Sequence, residues 1–139
     1  MAAPARSLLP DLPKGHEFPP TTFILSVEDV IRYVDAVEDG NTVYLERGMA
    51  PPLCVAASAL GGLLELLELP PGTLHTGQEI EVQGGVPIGV ELTLTGRIAQ
   101  RSERGGMVIT ALDFELTPHG ANEPALKGRT TVLVSGAST

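Results

Sequence analysis

The sequence predicts an α+β domain in which a curved antiparallel sheet wraps one central apolar helix. Three observations carry this. Residues 53–69 read LCVAASALGGLLELLEL, apolar around nearly the whole circumference up to Glu65, which marks a helix buried rather than laid on a surface. The second half of the chain alternates polar and apolar residues, with Gly105-Gly106 as a hairpin signal. The 139 residues suffice for one compact domain and leave little for a second.

Residues 1–15 are rich in Ala and Pro without a period and read as a flexible N-terminal arm, with the domain over 16–139. Pro19-Pro20 breaks regularity, and TTFIL at 21–25 is β-prone. Ser26 as N-cap, Asp29 three residues on, and apolar Val27, Val30, Ile31, Val34 and Val37 predict an amphipathic helix from Ser26 to about Glu38. Asp39-Gly40-Asn41 ends it. Pro51-Pro52 opens the central helix, because proline suits a helix start. Small residues from Ala56 to Gly62 let other backbones approach it. Gly61-Gly62 costs helix stability, so close packing there must compensate. Pro70-Pro71-Gly72 stops the helix. Strands are expected at 79–83, 91–99, 107–116 and 129–134, with a turn region at 118–124. A single unit of this kind leaves one side of its sheet or helix poorly covered, which predicts pairing into a dimer.

Composition narrows the function. Apolar residues make up 42% and aromatics only 4%, so the core is aliphatic. Seventeen acids against nine bases give a net charge of −8, which argues against nucleic acid or an anionic membrane surface as partner. Cys54 is the only cysteine, which excludes an internal disulfide and any cysteine-rich metal site. His16, His75 and His119 lie far apart, so no metal site is expected. The apolar run Leu8-Leu9 is too short for an export signal, and 53–69 is too interrupted to span a bilayer. A cytoplasmic protein is the expectation.

Several segments together resemble a known family. Phe18-Pro-Pro-Thr-Thr-Phe23, Asp39-Gly-Asn-Thr-Val-Tyr44, Ala50-Pro-Pro52, Leu74-His75-Thr-Gly-Gln-Glu79 and Pro87-Ile-Gly89, in that order and spacing, are similar to the MaoC-like hot-dog hydratases and dehydratases. The closest branch is the one named for the N-terminal dehydratase domain of fatty-acid-synthase-like proteins. The resemblance runs from about Gly15 to Val134. It implies a single hot-dog fold. It also implies acyl thioesters of coenzyme A or acyl carrier protein as substrates, with no separate cofactor. Active members add water to a trans-2-enoyl thioester or remove it from the (R)-3-hydroxyacyl form. They use an Asp and a His five residues apart to position water and move protons. A backbone N–H at the start of the central helix polarises the thioester carbonyl.

On this resemblance Asp39 falls at the catalytic aspartate and Tyr44 at the histidine. An imidazole titrates near neutral pH, whereas a phenol titrates at ~10 and is a poor general base at pH 7. Asp39 alone acts as base only if desolvation raises its pKa. The other reading of Asp39 and Asn41 is a helix-ending turn, where both residue types are favoured. Between Tyr44 and Ala50 the family has a longer loop with a short helix roofing the acyl tunnel, and here only residues 45–49 remain. Their brevity suggests a wider mouth, or a tunnel closed by another chain. Pro52 stands near a glycine of active members and has no N–H, so Leu53 or Cys54 supplies the first donor. His75 matches a histidine common in the branch; Gly77 follows it on the same strand. Asn41, Pro52, Leu53, Cys54, His75 and Gly77 are therefore the candidate substrate-binding residues, with Asp39 and Tyr44 the candidate catalytic pair. Cys54 and Ser58 also read as packing residues, and His75 as a hydrogen-bonded strand residue. Arg97, Arg101 and Arg104 form a basic cluster that suits coenzyme A phosphates, or else a charged hairpin edge.

Three functions follow. One is a degenerate or accessory hot-dog subunit that lacks the catalytic His and works as a homodimer or as a heterodimer with a catalytic partner. Another is an active (R)-specific enoyl-CoA hydratase using Asp39 and Tyr44. The third is a hot-dog acyl-CoA thioesterase, since one fold hosts several chemistries. The His-to-Tyr change favours the first.

Overall fold

The computed structural model describes residues 7–37 and 43–135. In chain order the elements are β1 (Ser7–Leu8), β2 (Thr21–Ile24), α1 (Val27–Ala36), α2 (Val43–Glu46), α3 (Pro52–Leu64), β3 (Leu67–Glu68), β4 (Leu74–Val82), β5 (Glu91–Arg104), β6 (Met107–Pro118) and β7 (Leu126–Ser135). Five strands form an antiparallel sheet in the order β2-β5-β6-β7-β4, and β1 pairs in parallel with β3 apart from it. The α+β class and the sheet-around-helix arrangement match the expectation from sequence.

The sheet's inner face follows from alternation on β6, its central strand. Val108, Thr110, Leu112, Phe114 and Leu116 are buried, and each lies opposite a β7 residue of the same face: Val134, Val132, Thr130, Gly128 and Leu126. Leu94, Gly96 and Ile98 continue the face onto β5. Glycines let this layer close. The ring of Phe114 fills the space that a side chain at Gly128 would take. A Cβ on Gly96 would stand 2.9 Å from Cδ1 of Leu63, and one on Gly62 3.1 Å from Cδ2 of Leu94. Helix α3 therefore reaches β5 across two bare backbones. Gly62 has the close packing that the sequence requires of it; Gly61 faces open space.

The helix differs from expectation in two ways. It stops at Leu64, because Leu67–Glu68 leaves to pair with Ser7–Leu8. It is also buried on one side only. Cys54, Val55, Ala56, Ala59 and Leu63 are covered, while Leu53 is 67% exposed and Ala57 and Gly61 are exposed as well. These three recur every fourth residue and form one apolar stripe. The sheet covers the opposite side, and no described residue closes over the stripe.

The N-terminal stretch read as a flexible arm is docked from Ser7 onward. Leu9 is fully buried and Leu12 nearly so, apolar anchors hidden in an Ala- and Pro-rich segment. Gly15 N–H donates to Ile98 O at 2.8 Å and Phe18 N–H to Gly96 O at 2.9 Å, so the chain runs beside β5 before β2 begins. Residues 1–6 lie outside the described set.

Helix α1 starts as the sequence predicts. The Asp29 N–H donates to Ser26 Oγ at 3.1 Å, and the Ser26 N–H donates to Asp29 Oδ2 at 3.0 Å, a reciprocal capping box. These hydrogen bonds hold the Asp29 carboxyl below its ordinary value, with Arg32 adding a smaller pull.

The three arginines read as a cluster are separated. A β-bulge between Ile98 and Gln100 puts Arg97 opposite Asp113 and Arg101 opposite Thr110, residues on different faces of β6. Arg101 donates to Pro10 O at 2.9 Å and to Glu103 at 2.8 Å, fastening the N-terminal segment. On the outer face Arg129 grips Asp113 with two bonds of 2.6 and 3.0 Å. That carboxylate holds the guanidinium of Arg129 above its ordinary pKa, first by hydrogen bonding and then by charge.

Candidate functional site

The segment between α2 and α3 is short, and its backbone is tied at both ends. Gly48 takes a positive φ of 67°, which glycine adopts without strain, and lets the chain reverse after α2. Met49 N–H donates back to Tyr44 O at 2.9 Å. Ala50 N–H donates to Val86 O, and Ile88 N–H to Gly48 O, both at 2.8 Å. The stretch that follows β4 is thereby pinned under α2. Helix α2 itself is a single turn of four residues.

These ties enclose a pocket of about 420 Å³ at the start of α3. The segment from Tyr44 to Pro52 supplies Tyr44, Arg47, Met49, Ala50 and Pro52 to its lining, and Val55, Val82, Gly84, Gly85, Val86, Ala125 and Leu126 complete it. The lining is chiefly apolar, as an acyl chain requires, and its volume lies in the range of small-molecule sites. The methyl of Met49 rests on Gly85, where a side chain would collide with it. Helix geometry leaves the N–H groups of Leu53 and Cys54 without an acceptor inside α3, since the first bond of the ladder runs from Val55 to Pro51 O at 3.1 Å. That end carries positive dipole character suited to a carbonyl oxygen.

The structure brings together some of the predicted residues and not others. Tyr44 and Pro52 share the pocket. Leu53 sits at its helix start but is exposed. Cys54 points the other way, into a shallow depression with Asp29, Tyr33 and Ser58 beneath α1. It is buried, and desolvation first and the charge of Asp29 second push its thiol above the ordinary 9.0. His75 and Gly77 lie on β4 but do not line the pocket. His75 is exposed and seven residues from the lining Val82, roughly 23 Å along the strand. Asp39 and Asn41 lie outside the described residues. Among the described residues no group of three or more acids, histidines or cysteines is placed to hold a metal ion.

Sequence reasoning missed Arg47, Met49 and the Gly84-Gly85 floor. The glycine pair was a usable signal, since two adjacent glycines before Val86 mark a close approach by another group. Arg47 had none, because nothing in a four-residue turn says which side chain faces inward.

No family model and no curated protein matches this sequence. Solved structures do. The chain is similar to an (R)-hydratase from A. caviae involved in PHA biosynthesis, with a TM-score of 0.74, 19% identity, and 89% of this chain and 98% of that one covered. The fold is that of the MaoC-like hydratases and dehydratases. A MaoC-like dehydratase from Rhodospirillum rubrum superposes with a TM-score of 0.73 at 15% identity, over 95% of this chain and 99% of that one. The HadBC complex of Mycobacterium tuberculosis, a (3R)-hydroxyacyl-ACP dehydratase, does so at 0.67 and 19%, over 86% and 96%. The resemblance and the superpositions agree on a hot-dog fold of the MaoC-like kind. Among the described residues no helix is long and apolar enough to cross a membrane.

Proposed function

We propose that this chain is an acyl-thioester-binding member of the MaoC-like hydratases and dehydratases that has lost its own proton shuttle. It works as an accessory subunit beside a catalytic hot-dog chain. The single observation that carries this is the pocket itself. It is apolar, it lies at the start of α3, and the polar side chain at the position matching the family's histidine is the phenol of Tyr44. Among the described residues no histidine lines it. The apolar stripe Leu53–Ala57–Gly61 and the unpaired outer edge of β4 favour a second hot-dog chain as partner. HadBC is an example of two hot-dog chains in one complex. The fatty-acid-synthase-like branch, substrates carried on coenzyme A or acyl carrier protein without a separate cofactor, and a cytoplasmic setting belong to the same reading. His75, exposed on that edge strand, is available to such a partner.

The second reading, an active enzyme with Asp39 as base, is supported by the retained aspartate of the resembled motif. Hydration of crotonyl-CoA by the purified chain, followed at the enoyl absorbance, separates the two. The expected result is no turnover above buffer, with activity appearing in Tyr44→His. Turnover by the native chain that vanishes in Asp39→Ala would overturn the accessory reading. Release of free thiol instead would assign a thioesterase.

A further inference from the structure

We infer that the Tyr44 pocket selects an acyl chain bearing a carboxylate, with Arg47 as the recognising cation. The inference rests on the acyl-pocket reading above and adds to it a charge preference. The first support is the balance of donors and acceptors. Among the described residues, the side chains lining the pocket include no acid and no amide; Arg47 and Tyr44 are their polar members. A guanidinium offers five N–H donors and no acceptor, and the phenol adds an O–H. A ligand group that satisfies both is rich in acceptors and negative.

The second support is that Arg47 is not used elsewhere. The ion pairs among the described residues join Arg32 to Asp29, Arg97 and Arg129 to Asp113, Arg101 to Glu103, and Lys127 to Glu115. Arg47 joins none of these pairs, and as an exposed cation in the lining of a chiefly apolar pocket it is available to a ligand. Third, its backbone is held in place. The flanking bonds Met49 N–H to Tyr44 O and Ile88 N–H to Gly48 O fix the turn that presents it. A carboxylate suits this position better than a coenzyme phosphate does. The phosphates stand a whole pantetheine arm away from the acyl carbon, whereas Arg47 is part of the lining that the chain itself touches. A free fatty acid and a chain with a distal carboxyl share this chemistry.

Calorimetric titration with octanoate, octanol, the mono-octyl ester of succinic acid and the neutral octanoyl thioester of N-acetylcysteamine tests the inference on the native chain and on Arg47→Gln. Octanoate is expected to bind the native chain roughly tenfold more tightly than octanol, as a charge-assisted pair at a partly open site allows. In Arg47→Gln the ratio falls to near one, and Arg47→Lys restores part of it. Preference for the succinate ester over octanoate would assign the distal-carboxyl source, and the reverse the free acid. Equal affinity for octanoate and octanol in the native chain overturns the inference while leaving an acyl pocket in place. Failure of all the ligands to bind overturns the pocket reading together with it.

Discussion

Replacing Gly128 by alanine tests how tightly the inner sheet layer is closed. A Cβ there would come within 2.7 and 2.8 Å of Cε1 and Cε2 of Phe114, and closer still to Cζ. Carbon atoms prefer about 3.5–4.0 Å, so the ring must retreat by about an ångström. Phe114 is 1% exposed, so the retreat displaces its neighbours. Overpacking of this kind costs about 1–3 kcal/mol, against which the stiffer alanine backbone returns about 0.5–1. A net loss of ~1.3 kcal/mol remains. Unfolding entropy of about 2.1 cal/mol/K per residue gives roughly 0.3 kcal/mol/K for the chain, so the Tm should fall by about 4 °C. Circular dichroism melts of Gly128→Ala, Phe114→Leu and the double variant measure this. Phe114→Leu removes the ring atoms concerned, so the double variant should be more stable than the two single losses add up to, by at least ~1 kcal/mol. An unchanged Tm in Gly128→Ala, or strict additivity in the cycle, refutes the packing argument.

Other substitutions probe different parts of the molecule. Gly61→Ala, the same exchange in open space on a helix, should raise the Tm by about 2–3 °C from helix propensity of about 0.8–1.0 kcal/mol; a fall would mean that another backbone rests on the stripe. Ser26→Ala removes the cap of α1 and should cost about 1 kcal/mol, read in the same melts. The Asp29 carboxyl is lowered in the folded chain, so its contribution is present above its ordinary 3.8 and is lost as pH falls through the lower folded value. The Tm gap between the native chain and Asp29→Asn should therefore close as the pH is taken below 3.8, and a gap that persists in acid would remove the capping box as its cause. Native Cys54, buried and with a raised pKa, should react with iodoacetamide at least roughly tenfold more slowly than in denaturant, as mass spectrometry can follow; equal rates would mean that the helix opens freely.

Legibility in the sequence tracked how local each signal is. Ser26 and Asp29 announce the start of α1 because a capping box is made within four residues. Gly105-Gly106 announces the β5–β6 turn for the same reason, and both glycines take positive φ. The docking of Leu9 and Leu12 was not legible, since their partners lie far along the chain and their own neighbours are Ala and Pro. The bulge at Ala99 was not either, because alternation before and after it looks continuous until the partner strand is known. At the candidate site, Tyr44 and Pro52 line the same pocket. His75 and Gly77 do not join them, because the spacing of a motif fixes the strand that carries them but not the distance of that strand's far end.

The extra residue in β5 means that this strand obeys two opposite phase rules along its length. Ahead of it, even numbers face the helix; beyond it, odd numbers do. Deleting Ala99 would bring the halves into one phase while keeping every pairing on β6, with Arg97 still opposite Asp113 and Arg101 still opposite Thr110, beside the carbonyl of Pro10 that it fastens. Loss of that one residue would thus straighten the strand without turning any other side chain to the opposite face.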